Sequence, residues 1–243
     1  MGLQTHPRLV RAHSVGAWLR GAADDLLDLT LDRRCAVCGR SDAAVCAGCR
    51  ATWGRPFDVA GRVPGSRVVA ATSYDRAGSA IVAFKERGRL GLLPVLAAAL
   101  ADATRCAVGP LGRSDQLVLV PVPTVPARAR ARGLDHTRAL AARAARRLAA
   151  GDRRAVVASV VGHVRAVADQ AELGRGRRWD NVAASMVARA PRRPFRGPVV
   201  VVDDVVTTGA TAAEVVRALT LAGWRVDAVA VVAAAASGSR PRG

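Results

Sequence analysis

The stretch VVVVDDVVTTGATAAEVV, residues 199–216, constrains this chain more than any other. Four consecutive valines read as a strand buried on both faces, the kind found inside a parallel sheet. The run ends on two adjacent carboxylates, Asp203 and Asp204, then turns through Thr207, Thr208, Gly209, Ala210 and Thr211 into a helical segment. An ordinary solvated turn needs one Asp and one Gly. Here the unbonded N–H groups of a helix start, three hydroxyls and a glycine that lets the backbone come close would together cradle a phosphate. The carboxylates repel that phosphate, so they must face hydroxyls or a cation. A ribose 5-phosphate meets both demands. A Walker-type loop is excluded by the absence of Gly-Lys-Ser/Thr, and a single glycine is too few for a dinucleotide fingerprint.

The rest of the chain supplies a sheet for this strand. RVVAATSYD, QLVLVPVP, AVVASVVGHV, ASMVARA, PVVVVDD and RVDAVAVVAAAA read as strands, and helical segments alternate with them. The alternation predicts a parallel α/β sheet with helices on both faces over residues 66–236, with the 199–216 turn at the carboxyl edge where ligands bind. Residues 1–34 read as an N-terminal helix and tail, and 237–243 as a short polar tail. No uninterrupted apolar run has the roughly 18 residues of a membrane span, and no apolar leader precedes a cleavage site, so the expectation is a cytoplasmic chain without membrane insertion.

Residues 35–60 form a separate expectation. CAVCGRSDAAVCAGC places Cys35 with Cys38 and Cys46 with Cys49 as two C-x-x-C pairs seven residues apart. Four thiolates complete the tetrahedral shell that Zn²⁺ prefers, with no open position, so the ion would be structural. Two disulfides, or four ordinary buried thiols, are the competing readings. Cys106, alone in its segment, reads as a small core residue.

Charge narrows the partners. The formal net charge is +18, and residues 121–200 hold 17 Arg against 5 acidic residues, so an anion is expected to dock there. Aromatics make up only 3% of the chain, which leaves few platforms for stacking single-stranded bases. Lys85 is the one lysine beside 36 arginines, suited to a phosphate or to a carboxylate of the site, or simply a surface residue near a helix end. His136 and His163 carry no acid/base expectation.

VVVVDDVVTTGAT resembles the phosphoribosyl pyrophosphate loop of type I phosphoribosyltransferases, and the order of the four-cysteine module, FKERG, VPVPTVPARARARGLDHTRALA and RAVADQAELGRGRRWDNV is similar to that of the ComF family, including its GntX-type members. The resemblance spans roughly residues 35–235. It implies a phosphoribosyltransferase-like domain and a donor cup of Asp203, Asp204, Val205, Thr207, Thr208, Gly209, Ala210 and Thr211, the two aspartates being catalytic. It further implies a pyrophosphate or hood set of Lys85, Arg128, Arg132, Arg165, Gln170, Arg178 and Asn181. Asp135 and His136 stand where the family usually has Asn and Gln, Val167 replaces a usual Thr, and Met186 a usual Phe. The implied function is binding of phosphoribosyl pyrophosphate or a related nucleotide with Mg²⁺, in a glycosyltransferase whose acceptor is undefined. The resemblance also links the chain to natural competence. The alternative is a non-catalytic accessory protein that binds single-stranded DNA or the DNA-uptake machinery.

Overall fold

The structure is a computed structural model that describes residues 34–41, 43–109, 116–125, 133–150, 154–164, 184–191, 195 and 197–236. All fall within the compact unit Arg33–Gly243. The N-terminal helix and the C-terminal tail read from the sequence lie outside the described residues, apart from Arg34.

The described strands are β1 (Phe57–Asp58), β2 (Arg67–Ser73), β3 (Gln116–Pro121), β4 (Arg154–Val157), β5 (Val161–His163), β6 (Met186–Ala188), β7 (Val199–Val206) and β8 (Ala228–Ala234). The helices are α1 (Ala47–Ala51), α2 (Tyr74–Glu86), α3 (Leu93–Val108), α4 (His136–Ala149) and α5 (Ala210–Leu221). Six strands form one sheet in the order β1-β2-β8-β7-β3-β4, parallel except for the antiparallel edge strand β1. The expected α/β architecture is therefore present. One reading changes: AVVASVVGHV is two strands, since β4 closes the large sheet while β5 pairs antiparallel with β6 in a separate two-stranded ribbon. Ala158 to Val160 separate them and carry the chain from one sheet to the other.

β7 alternates side chains between two apolar layers, as a doubly covered strand must. Val200 and Val202 join the layer built by α2, α3 and α4, whereas Val199 and Val201 join that of α5, Val63 and Met186. Local chemistry fixes the helix ends. Asp135 caps α4, its Oδ1 accepting the Arg138 N–H at 3.1 Å. Pro94 occupies the first turn of α3, where its missing N–H costs nothing.

The four-cysteine segment packs into the same core. Cys35, Val45, Cys46 and Trp53 belong to the buried layer of Phe84, Leu92 and Leu96, and the Arg89 guanidinium donates to the Arg34 carbonyl. The stretch Leu90–Val108, interrupted by Asp102 and Arg105, is by length and composition long and apolar enough to cross a membrane, its 18-residue window having a mean hydropathy of 1.5. Its most apolar window is 61% buried inside the fold, and α3 lies against β2, β8 and α4, so internal packing accounts for the composition.

The β5–β6 ribbon is fastened to α5 by a buried carboxylate. Glu214 Oε1 accepts the Met186 N–H at 3.0 Å, and Arg217 bonds both Glu214, at 2.7 Å, and the Met186 carbonyl, at 3.0 Å. Burial would raise the Glu214 pKa, but Arg217 and the Met186 N–H outweigh it and hold the carboxyl below its ordinary value. A depressed carboxylate stabilises the fold above the ordinary glutamate range, and that contribution is lost as pH falls through the lowered value. Glu214→Gln is expected to cost about 2 kcal/mol at neutral pH, the scale of hydrogen bonds to a charged group. It should also flatten the acid limb of a stability–pH curve measured by chemical denaturation.

Candidate functional site

The topology creates a crevice before any side chain is considered. From β3 the chain passes through α4 to β4 on one side, and from the adjacent β7 it passes through α5 to β8 on the other. Neighbouring strands whose connections diverge leave an opening beyond their carboxyl ends. The turn after β7 lies at that opening.

A small cavity there is lined by Asp203, Val205, Thr207, Thr208, Gly209, Ala210 and Thr211, which are all the residues of the expected cup except Asp204. Gly209 is the N-cap of α5 at φ +84°, a left-handed conformation that glycine adopts without penalty. Thr208 Oγ1 accepts the Ala210 N–H at 3.3 Å. No acidic residue stands in the first turn of α5, so the positive end of the helix is not cancelled locally.

The sequence reading missed the loop that crosses this turn. A Cβ on Gly209 would collide with the Arg62 carbonyl, and the Arg62 guanidinium donates to the Ala235 carbonyl at the end of β8, 2.6 Å away. Gly209 is thus required twice, for its φ and for this backbone approach. The Val63 neighbour, buried against α5, fixes the crossing. A pairing between residue 62 and residue 209 has no local sequence signal.

The two aspartates are separated by the pleat. Asp203 continues the row of Val199 and Val201 and lines the cup, while Asp204 continues the row of Val200 and Val202 towards α2. There Lys85 Nζ lies 2.7 Å from Asp204 Oδ2. Each carboxylate also accepts the N–H of the following residue, Asp203 from Asp204 at 2.8 Å and Asp204 from Val205 at 2.9 Å. Burial and the charge of Asp204 push the Asp203 carboxyl well above the usual carboxylate range. Burial acts in the same direction on Asp204, but the Lys85 ammonium overcomes it and keeps that carboxyl low. Lys85 therefore joins the site through a carboxylate.

Among the other named residues, Asp135 and His136 have structural places. Asp135 Oδ1 accepts the Thr124 hydroxyl at 3.0 Å besides capping α4, and the buried His136 ring meets Phe84 edge-on at 4.8 Å between centroids. His163 Nε2 lies 3.2 Å from the Pro123 carbonyl, a distance at which the ring nitrogen donates. Arg128, Arg132, Arg165, Gln170, Arg178 and Asn181 lie outside the described residues.

The four cysteines converge. Their Sγ atoms all lie within 4.8 Å of one another, with Cys38 and Cys46 3.6 Å apart. Four sulfurs at about 2.3 Å from a tetrahedral ion stand about 3.8 Å apart, so the cluster suits one metal ion. The thiols are unbridged, which removes the disulfide reading. Burial would raise the Cys35 thiol, yet the N–H groups of Cys46, Cys38 and Val37 draw it down to about 6. Hydrogen bonding to Cys38 pushes Cys49 up to about 12, so binding of an ion displaces protons that the sulfurs otherwise share.

Comparison of the chain with models of known protein families and with curated proteins found no match.

Two outcomes are expected. Gly209→Ala should lower stability by more than the about 1–3 kcal/mol of a strained φ alone, because its Cβ also displaces the Arg62 carbonyl, as measured by denaturant unfolding. Cys35→Ser should reduce bound metal below one ion per chain in elemental analysis and lower the thermal midpoint of the metal-loaded protein, whereas stoichiometric metal in that variant rules out a four-sulfur site.

Proposed function

We propose that this chain is a phosphoribosyltransferase-like protein of the ComF type that binds phosphoribosyl pyrophosphate, or a related nucleotide, together with Mg²⁺. The observation that carries this reading is the carboxylate-and-threonine cup at the diverging β3/β7 edge, where a sugar phosphate finds both of its partners within one turn. The α5 N-terminus and the hydroxyls of Thr207, Thr208 and Thr211 hold the 5-phosphate, and Asp203 accepts from a ribose hydroxyl. Bond breaking at the ribose C1 develops oxocarbenium-like charge and expels pyrophosphate, so no covalent nucleophile is required of the protein. Mg²⁺ bound with the donor supplies charge neutralisation on that leaving group. The resemblance assigns Arg128 and Arg132 to the same anion, in keeping with the forked geometry of guanidinium groups. The ion of the four-cysteine cluster is zinc, in a closed structural shell.

A second reading has its own observation. Helix α4 exposes Arg138, Arg146 and Arg147, with Arg143 half-buried, and carries no acidic residue. A phosphate backbone lying along that face makes the chain a single-stranded DNA accessory protein.

Calorimetric titration of phosphoribosyl pyrophosphate with Mg²⁺ into the zinc-loaded protein separates the two. Heat with the parent and none with the Asp203→Asn/Asp204→Asn double variant supports the donor site. Absence of heat with the parent, with single-strand affinity that falls by about 0.7 log units per phosphate contacted for each log unit of salt, favours the accessory reading.

A further inference from the structure

We propose that Lys85 is a positioning residue that acts through Asp204 on Asp203, and that it does not itself hold pyrophosphate; this rests on the phosphoribosyl reading of the cup. Two facts separate the members of the acidic pair. Asp203 lines the cup, and Asp204 does not. The Asp204 side chain is 6% exposed, turned towards α2, and its Oδ2 lies 2.7 Å from Lys85 Nζ. Its oxygens meet Lys85 and the Val205 N–H on the strand face turned away from the cup, so a ribose hydroxyl arriving in the cup meets Asp203 first.

The connection from the lysine to the cup is continuous. Lys85 grips Asp204 Oδ2, the Val205 N–H grips Asp204 Oδ1, and the Asp204 N–H in turn donates to Asp203 Oδ1 at 2.8 Å. The side chain that faces the ligand is thereby aimed by the backbone of the residue that Lys85 anchors. Withdrawing the ammonium to meet a diphosphate would strand a buried carboxylate without its counter-charge, an expensive step. Among the described residues, Tyr74 in the first turn of α2 also feels the pair: its hydroxyl pKa is raised by burial first and then by the charge of Asp204. Its ring lies against Gly78, where a Cβ would meet ring atoms at 2.8 Å.

Lys85 is close in sequence to a second anchor. It stands in the last turn of α2, whose C-cap Arg87 is followed two residues later by Arg89, and Arg89 bonds Arg34 beside the first cysteine. A compact ammonium meets a single carboxylate oxygen as a point charge, without the forked geometry of the guanidinium groups that the chain uses everywhere else.

The test measures the affinity of phosphoribosyl pyrophosphate with Mg²⁺, and of inorganic pyrophosphate with Mg²⁺, for the zinc-loaded parent and for Lys85→Met, Asp204→Asn, their double variant, Lys85→Arg and Asp203→Asn. Lys85→Met and Asp204→Asn are each expected to weaken the donor about tenfold, and the double variant no further, because the two residues work as one unit. Lys85→Arg recovers part of that loss by restoring the charge. Pyrophosphate affinity stays at the parent value in Lys85→Met, and Asp203→Asn loses more donor affinity than any other single variant. Multiplying losses in the double variant, or pyrophosphate affinity that falls with the donor in Lys85→Met, assigns Lys85 to the diphosphate and overturns the proposal. Unchanged donor affinity in Lys85→Met overturns it as well. Unfolding midpoints of the same proteins identify any variant that is merely unfolded, in which case Lys85→Arg and Asp204→Asn carry the comparison. A parent that binds no donor overturns the phosphoribosyl reading itself, an outcome distinct from all the others.

Discussion

A carboxylate buried beside a lysine is the interaction around which the candidate site is arranged. Strand β7 is valine on both faces for four residues before the acidic pair interrupts it, and there Asp204 fastens it to α2. Its charge is tolerable only because Lys85 lies 2.7 Å away, and Lys85 is there only because α2 packs Ala77, Ala80, Ile81 and Phe84 into the layer above. Helix and strand are thus locked at one point, with Val205 and Val206 between it and the turn into the cup.

The four-cysteine segment contributes to the same layer. Cys35 and Cys46 are buried against residues of α2 and α3, so a metal ion held by the sulfurs would stiffen a wall of the main core and not an appendage. Arg50 repeats the connection: it stacks on Trp53 at 5.2 Å and donates to the Val95 carbonyl of α3. Loss of the ion would therefore be felt at α2, the helix that carries Lys85.

Much of this was legible from residue order alone. The 3.6 and 2.0 periodicities located the helices and strands, and the valine run with its threonine-and-glycine turn marked the carboxyl edge of the sheet. The C-x-x-C pairs announced convergent sulfurs because two residues between cysteines leave little choice of geometry. What stayed hidden depends on contacts far apart in sequence. The split of AVVASVVGHV between two sheets followed from which neighbour each half found. The Arg62 strap over Gly209 and the Glu214–Arg217 clamp on Met186 join segments with no shared pattern.

The sequence by itself determined the α/β class, the four-sulfur cluster and the chemistry available in the turn after β7, since each is encoded by local spacing and residue type. Only the tertiary structure decided how the paired aspartates divide. Adjacent strand residues point to opposite faces, so the sequence could place two carboxylates at one edge without saying which of them looks into the cup. That choice was made by α2, which brought a single ammonium to one face and left the other face to the turn of α5.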